Sequence, residues 1–310
     1  MCQQGLQFRA QVPSTSGRKR PPVPEVRSPT LRRRELGSQL RARRLELGLT
    51  VDQVAQHLLC SPSKVSRMET GQRGATLRDV RDLCALYGIT NEEESERLMT
   101  LAREGKQQGW WQSHELNFST FVGLEMAAVS TKYCQSLVIP GLFQTAEYAR
   151  AMHDVVVQPK LSAERIDELI EVRLRRQQLL KRDPPLVISA IIDEAALHRV
   201  VGGPATMAAQ LAHLVEVAAL SSVTLRVIPY EAGAHAAMDS MFRILEFSAP
   251  TPSVVYVEGL VGHIYLDQPK DIDRYEEIFE SLSGIALTPK GSVELIRQIG
   301  DIRKKLPFER

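Results

Sequence analysis

The chain has 310 residues, of which 43% are hydrophobic and 25% are charged. This composition is typical of a folded protein, and the length predicts about two domains. No apolar run approaches the roughly 18 residues that a membrane-spanning helix needs, and the start, MCQQGLQFRAQVPS, lacks the apolar segment of a signal peptide. The four cysteines lie far apart without a C-x-x-C motif, so neither a zinc site nor a disulfide framework is predicted. We therefore expect a cytoplasmic protein that does not bind membranes.

Charge is distributed unevenly along the chain. Residues 1–110 carry 19 Lys and Arg against 12 Asp and Glu, a net charge of +7, whereas residues 111–310 carry 20 against 25, a net charge of −5. This asymmetry indicates that the two parts have different partners.

Residues 1–30 are interpreted as a disordered basic arm. The stretch GRKRPPVPEVRSPTLRRR mixes Arg and Lys with Pro and Ser and has no apolar period. From Gly17 to about Ser28 it therefore predicts disorder. Two interpretations stay open: a solvated tail, or an arm that adds contacts to phosphate groups.

The pattern then changes to short helices. Leu36, Leu40 and Leu47 recur at spacings of four and seven, which predicts one apolar stripe on a first helix. Gly48 follows directly and fits a C-terminal cap. We expect the first helix to end there.

Two helix starts come next. Thr50, with Gln53 three residues later, fits a capping box that opens a second helix. Ser61 fits an N-cap, and Pro62 falls at the first helical position, where its missing N–H costs nothing. The second helix is predicted to bury Val54, Ala55 and Leu58.

The third helix, within CSPSKVSRMETGQ, is unusually polar. Val65 and Met68 are its inward residues in this interpretation. The residues left pointing outward are Ser63, Lys64, Ser66 and Arg67. Two helices of about eight residues joined by a turn of three or four form a helix-turn-helix, whose second helix fits the major groove of double-stranded DNA. The alternative is a solvated polar face on a small helical bundle.

These residues carry a family resemblance. The stretch LGSQLRARRLELGLTVDQVAQHLLCSPSKVSRMETGQRGATLRDVRDLCALYGI resembles the Cro/cI-type (XRE) helix-turn-helix domain through GLT, SKVSRMETG and LCALYGI. The resemblance covers residues 31–105 and implies an all-α domain of five helices. It adds helices at about 76–87 and 91–104, and it implies that Glu69 pairs with Arg44.

Three positions depart from the family pattern. Pro62 and Val51 stand where the family often has polar side chains that contact DNA, and Leu59 replaces a common turn glycine. Base reading is therefore expected to fall on Ser63, Lys64 and Arg67, with Arg67 approaching guanine O6 and N7. The predicted DNA-contacting residues are Thr50, Gln53, Ser61, Ser63, Lys64, Ser66, Arg67 and Arg73.

A second domain, residues 106–310, is predicted to be α/β. The stretch SAERIDELIEVRLRRQQLLKR predicts a long helix, and further helices are expected at about 206–219 and 272–283. The runs PLVISAII, SVTLRVI, MFRILEF and SVVYVE are rich in β-branched residues and predict strands of a mixed sheet. The long helix is expected to bury Ile166, Leu169, Ile170 and Leu174.

This part of the chain resembles the C-terminal domain, of unknown function, of the actinobacterial WhiJ-like regulators. The motifs GWW, VGLEMAA, LVIPGLFQTAEYARA, IDEAALHRVVGG, VTLRVIPYEAGAH and VVYVEGLVGHIYLD carry the resemblance across residues 109–266. Members are often encoded beside a small partner protein and are described as antitoxin-like regulators. The resemblance therefore implies protein binding more than catalysis.

The sequence offers little sign of chemistry in the second domain. Glu194 and His198 are spaced as two metal ligands on a helix, but no third ligand is near in sequence, so a surface pair is expected. His235 and His263 lie in glycine-containing loops beside acidic residues, but the sequence has no accompanying nucleophile motif. We therefore expect no catalytic residue, no metal and no cofactor. A pocket for an effector or partner could be lined by Trp110, Trp111, Pro140, Gly141, Gln144, His235 and Glu258.

Two hypotheses from different classes follow. The first is a DNA-binding transcription regulator that acts as a homodimer, since one reading helix covers only about four base pairs. Its second domain, with a net charge of −5, would supply dimer contacts and bind a small partner protein or an effector. The alternative is an enzyme tethered to DNA, with its site in the second domain.

Overall fold

The computed structural model describes residues 28–305 except 115, 117, 157–160, 239–240, 250 and 260–261, and it leaves out the side chains of 154–156 and 303–305. Of the basic arm predicted for residues 1–30, residues 1–27 thus lie outside the described residues. In the described part, an all-α N-terminal domain precedes an α/β domain with a mixed sheet, which confirms the predicted fold class. No helix in this part is long and apolar enough to cross a membrane.

Five helices form the N-terminal domain. They are α1 (Pro29–Glu46), α2 (Val51–His57), α3 (Pro62–Glu69), α4 (Leu77–Leu86) and α5 (Glu92–Gly105). Their apolar faces share one core that includes Leu36, Leu40, Val54, Val65, Met68, Leu83 and Leu98.

Two details of α1 differ from the sequence-based expectation. The helix begins at Pro29 with Ser28 as its N-cap, inside the segment assigned to the arm, because Ser28 and Thr30 are buried against the second domain. Leu47, placed on the apolar stripe, is 47% exposed, since the helix ends at Glu46 and the chain turns at Gly48 with φ 66°.

Helices α2 and α3 begin with the predicted caps. The Thr50 side chain accepts a hydrogen bond from the N–H of Gln53, and the Gln53 side chain accepts one from the N–H of Thr50. Ser61 caps α3, and Pro62 is its first residue. Residues at its own N-terminus therefore determine where the polar third helix begins.

The second domain contains seven helices and six strands in the described part of the chain. The helices are α6 (Ser119–Ala127), α7 (Ala146–Val156), α8 (Ala163–Gln177), α9 (Glu194–His198), α10 (Pro204–Ala218), α11 (Pro269–Ile285) and α12 (Pro289–Lys305). The strands are β1 (Ser130–Gln135), β2 (Val187–Asp193), β3 (Val223–Ile228), β4 (Phe242–Glu246), β5 (Val254–Glu258) and β6 (His263–Leu266). Short 3₁₀ turns at Trp110–His114 and Gly141–Phe143 lie on either side of β1 along the chain.

The six strands form one sheet in the order β3-β2-β1-β4-β5-β6. β1, β2 and β3 are parallel, whereas β4, β5 and β6 are antiparallel to their neighbours. The four strands predicted from the sequence are all present. The central strand β1 and the edge strand β6 were not predicted.

Helices cover both faces of the sheet. Met207 of α10 and Ile296 of α12 pack in one core with Tyr133, while Phe279 of α11 packs in another with Ile244. On α8 the prediction for Leu174 is wrong, because that side chain is 42% exposed. The buried residues of α8 are Ile166, Leu169, Ile170, Val172 and Arg176.

The first helix also joins the two domains. The Ser28 hydroxyl donates a hydrogen bond to the carbonyl oxygen of Gly123 in α6 at 2.6 Å. Further along α1, the Arg34 guanidinium lies 2.7 Å from the Asp267 carboxylate, which follows β6. The N-terminal half of α1 is therefore part of the domain interface.

Candidate functional site

The outward face of α3 is the candidate DNA-reading surface. Val65 and Met68 are 1% and 3% exposed and point into the core, whereas Ser63, Ser66 and Arg67 are exposed. Because Ser63 and Arg67 are spaced i, i+4, they lie on one side of the helix. Hydroxyl groups and a cation thus lie together on a surface that could fit into a groove of DNA.

A buried ion pair holds α3 against α1. The Arg44 guanidinium donates hydrogen bonds of 2.6 and 2.8 Å to the two carboxylate oxygens of Glu69, and a third of 2.9 Å to the carbonyl oxygen of Leu49. The hydrogen bond to Glu69 raises the pKa of Arg44. The two residues paired by the family resemblance are therefore in bidentate contact, which fixes orientation as well as distance.

The two helices are also in close backbone contact. A Cβ atom added to Gly37 in α1 would lie 2.5 Å from the carbonyl oxygen of Glu69. Only glycine allows α1 to approach α3 so closely. The position of α3 thus depends on Gly37 and on the Arg44–Glu69 pair.

Lys64 differs from the expectation that it points freely outward. Its ammonium group lies 2.7 Å from the Asp79 carboxylate, and the side chain is only 22% exposed. Asp79 also accepts a hydrogen bond from the N–H of Thr76 and so caps α4. Lys64 therefore ties α3 to α4, and removing it would take away a contact between these helices as well as a charge.

The other predicted DNA-contacting residues lie near the ends of helices. Ser61 is exposed, and its hydroxyl accepts the N–H of Lys64 at 3.2 Å. Thr50 and Gln53 are exposed at the start of α2; the Gln53 oxygen is used in the capping box, so its NH₂ group is the part that can reach a phosphate. Arg73 is exposed just after α3, where its N–H bonds to the carbonyl oxygen of Arg67.

In the second domain, four of the seven predicted pocket residues surround an arginine cluster, defined as Arg173, Arg176 and Arg243. A Cβ atom added to Gly141 would lie 3.7 Å from Arg173 Nη1 and 3.9 Å from Arg176 Nη1. Pro140 directly precedes Gly141. The Gln144 side-chain oxygen accepts a hydrogen bond from Arg173, and Glu258 lies 3.4 Å from Arg243.

One acidic residue in contact with the arginine cluster is completely buried. Glu125 of α6 is 0% exposed and accepts hydrogen bonds from Arg176 at 2.6 and 2.9 Å and from the Tyr133 hydroxyl at 2.7 Å. Burial alone would raise the pKa of Glu125, but the charge and hydrogen bonds of Arg176 outweigh it and lower that pKa. Glu125 is therefore ionised and neutralises one of the three arginines.

The remaining three predicted pocket residues have contacts with other residues than the three arginines. Trp111 is 4% exposed and belongs to the core, and Trp110 stacks beneath Arg175 at 4.2 Å. His235 contacts Asp193 at 2.9 Å on the face of the sheet that α11 covers, opposite the arginine cluster. Of these three residues, His235 is thus on the other face of the sheet from the arginine cluster that Gly141 and Gln144 contact.

The pair Glu194 and His198 is present, with 2.9 Å between the His198 Nε2 and the Glu194 carboxylate. Glu194 is 8% exposed and also accepts the N–H of Tyr230, so it is more buried than a surface pair. Within the described residues, no group of three or more His, Cys, Asp or Glu could hold a metal ion.

Sequence reasoning missed the three arginines, although signals existed. Arg173 continues the spacing of Leu169 and Ile170, at a position where α8 would otherwise need an apolar side chain. Arg243 is the second residue of FRILE, a strand covered on both faces. A charged residue at such a position marks a site that the pattern of apolar residues leaves unexplained.

Two family models match separate parts of the chain. A family model described as a helix-turn-helix domain matches residues 35–98, which supports a DNA-binding regulator. A second model, described as a domain of unknown function (DUF5753), matches residues 118–298, more than half of the chain. No curated protein and no solved structure matches the chain. The chain therefore belongs to the DUF5753 family and carries a helix-turn-helix domain ahead of the domain that defines it.

Proposed function

We propose that the protein is a sequence-specific transcription regulator that places α3 in the major groove of DNA. The observation that carries this proposal is the exposed face of Ser63, Ser66 and Arg67, held by the buried Arg44–Glu69 pair. Arg67 would read guanine through O6 and N7, while hydroxyls, Gln53 and Arg73 contact phosphates. The net charge of +7 over residues 1–110 supports the same role.

The second domain would bind a small partner protein or an effector and contribute to a homodimer in the cytoplasm. Its net charge of −5 disfavours a second DNA surface. The motifs that resemble the antitoxin-like, WhiJ-like regulators of actinobacteria, and the XRE-type motifs of the first domain, support this finer assignment. Partner or effector binding and the homodimer are therefore proposed together with DNA reading.

We propose that the second domain binds ligands and does not catalyse a reaction. The pair His235 and Asp193 has the spacing of a catalytic dyad, at 2.9 Å. The charge of Asp193 also acts on the thiol of Cys134, which is 1% exposed. Burial, and secondarily that charge, raises the pKa of Cys134 to about 12, so this thiol is not ionised at neutral pH.

The DNA-reading role can be tested with the full chain and an operator selected from random-sequence DNA. Arg67→Ala should weaken operator binding by about 1–3 kcal/mol at fixed salt and relax the preference at about one base pair. Arg103→Ala removes the same charge from an exposed position of α5 and should leave the base preference unchanged. Unchanged operator affinity of Arg67→Ala would mean that α3 is not the reading helix.

A further inference from the structure

The arginine cluster carries more positive charge than the residues around it neutralise. Arg176 and Arg243 lie on the ring of Phe121, with their guanidinium carbons 5.2 and 4.7 Å from its centroid. Arg243 also lies 5.3 Å from the ring centroids of both Tyr133 and Tyr256. Two of the three cations are therefore placed against aromatic rings, where an unpaired charge is costly.

The three arginines have unequal partners. Arg176 is satisfied by the buried carboxylate of Glu125. Arg173 bonds to the uncharged side chain of Gln144, and Arg243 has an ion pair of 3.4 Å with Glu258, whose side chain is 49% exposed. Burial, together with the charges of Arg176 and Arg243, lowers the pKa of Arg173 to about 10. Arg173 thus remains protonated at neutral pH without a carboxylate of its own.

Two hydrogen-bond donors of the cluster are left without acceptors. In the part of the chain that the structure describes, the buried Nε atoms of Arg173 and Arg243 have no hydrogen-bond partner. Arg182, in the same domain, does have acceptors for its guanidinium group. This group donates hydrogen bonds to the carbonyl oxygens of Met126, Ala128 and Pro184. Arg33 and Arg43 of α1 also have an unpaired buried Nε, but among the described residues of the second domain the arginines with one are Arg173 and Arg243, which lie in the same cluster.

Partly exposed residues lie at one side of the cluster. Arg173 and Gly141 are half-buried, and Glu258 is about half-exposed beside Arg243. The Arg243 side chain itself is 11% exposed, so the cluster lies at the edge of the core beside partly exposed residues.

We propose that Arg173 and Arg243 bind a small molecule through a carboxylate or phosphate group. A guanidinium presents donors in a planar arrangement that matches the oxygens of either group, and an anion would supply both the missing charge and the missing acceptors. This inference rests on the proposed role of the second domain as an effector-binding domain, and it specifies the chemical class of the effector.

The test is direct binding to the full chain, measured by calorimetry with inorganic phosphate and with succinate at constant ionic strength set by sodium chloride. We expect saturable binding of at least one of these anions, and the stronger of the two identifies the recognised group. Arg173→Gln and Arg243→Gln should each weaken that binding at least tenfold. Arg175→Gln removes the same charge from an exposed position two residues away and should bind like the wild type.

Melting temperatures without added anion separate a binding role from a structural one. Because neither arginine has a fully buried carboxylate partner, Arg173→Gln and Arg243→Gln should melt at or above the wild-type temperature. Absence of saturable binding, equal anion binding by wild type and both variants, or a lower melting temperature in both variants would overturn the proposal. Operator affinity of the wild-type chain, measured in parallel, separates the two proposals: a wild-type chain that binds the operator but neither anion refutes only the anion site, and one that binds an anion but no operator refutes only DNA reading.

Discussion

Leu59 is in a backbone conformation that normally requires glycine. It has φ 50°, its N–H bonds to the carbonyl oxygen of Gln56, and the next N–H, of Cys60, bonds to that of Ala55. This is the Schellman motif that ends α2. The equivalent turns after α1 and α4 have Gly48 and Gly88, each with φ 66°. The departure from the family pattern noted in the sequence therefore preserves the turn but places strain in it.

Leu59→Gly should stabilise the protein by about 0.5–1 kcal/mol. The left-handed conformation costs a non-glycine residue roughly 1–2 kcal/mol, and the greater freedom of glycine in the unfolded chain offsets about 0.5–1 kcal/mol of that. No packing is lost, since Leu59 is 92% exposed. Urea unfolding checks the change. Leu59→Ala keeps the strain and is the control; equal stability of the two variants would contradict the explanation.

Asp79 should make the stability of the N-terminal domain depend on pH. Burial opposes ionisation of its carboxyl, but the hydrogen bonds from Lys64 and Thr76 outweigh burial and lower the pKa of Asp79 below 3.8. A carboxyl whose pKa is lower in the folded state stabilises the fold above its ordinary pKa, and this contribution is lost as pH falls through the folded pKa. The loss is therefore expected below about pH 4.

Asp79→Asn tests this dependence, because the amide keeps an acceptor for the cap but cannot ionise. Its unfolding free energy should be lower than that of the wild type near neutral pH, and the difference should shrink as pH falls below about 4. Asp82→Asn, on the same helix but with its nearest cation at 3.5 Å, is the matched control. A difference that persists unchanged in acid would show that Asp79 acts only through its shape.

At the scale of single residues, the sequence predicts those contacts that join residues close together in the chain. The caps at Thr50 and Ser61 involve partners three residues away, so they could be recognised without the fold. The partner of Lys64 is 15 positions along the chain, in another helix, and only tertiary packing brings them together. The arginine cluster was missed for the same reason, since Glu125 and Arg176 are 51 positions apart.

α1 belongs to both domains at once. Leu36 and Leu40 contribute to the N-terminal core, and the N-terminal end of α1 packs on α6. The crossing point is Gly123, where an added Cβ would lie 2.6 Å from the Cβ of Thr30. Because one continuous helix takes part in both contacts, the orientation of the reading helix follows from how α1 lies on the second domain.

Gly123→Ala should therefore weaken the contact between the domains. Overpacking of this kind costs about 1–3 kcal/mol, and we expect faster proteolytic cleavage between α5 and Trp110 together with a lower melting temperature. Gly284→Ala, at a helical position with open space around it, is the control and should be neutral or slightly stabilising. Cleavage of Gly123→Ala at the wild-type rate, with unchanged melting, would contradict a tight interface.

The strand β1 shows why the sheet was only partly predictable. Its sequence, STKYCQ, has few β-branched apolar residues, yet it lies between β2 and β4 in the middle of the sheet. Lys132 is accommodated there because its ammonium group bonds to Glu276 of α11 and lies 3.6 Å from Glu246. Neither acid is near Lys132 in sequence, so no local pattern could indicate a central strand.

Across the whole molecule, one row of side chains connects the arginine cluster with the N-terminal domain. Tyr133, Arg243, Tyr256 and Tyr265 are paired in register across β1, β4, β5 and β6. Arg34 of α1 lies over the ring of Tyr265 at 5.9 Å. A ligand held by Arg243 would thus be connected through two neighbouring strands to a residue that orients α1, which offers a physical route for the proposed control of DNA reading.

Sedimentation of the full chain tests the proposed homodimer. We expect a dimer at micromolar concentration and a protected DNA site made of two half-sites about 10 base pairs apart, or a multiple of that spacing. A shortened chain that ends at Gly105 keeps the N-terminal core but lacks the second domain, so it should dimerise more weakly. A monomeric full chain that protects a single unrepeated half-site would refute the homodimer.

The position of β1 in the sheet also sets an order of events during synthesis. Ser130 pairs with Val187 on one side and with Glu246, 116 positions later, on the other. Contacts so distant in sequence form slowly and only after both segments have left the ribosome. The helices between Pro29 and Gly105 depend on closer neighbours and can fold while the sheet is still incomplete. In the newborn chain we therefore expect the DNA-reading unit to be finished first, with the half of α1 around Arg34 uncovered until the second domain closes over it.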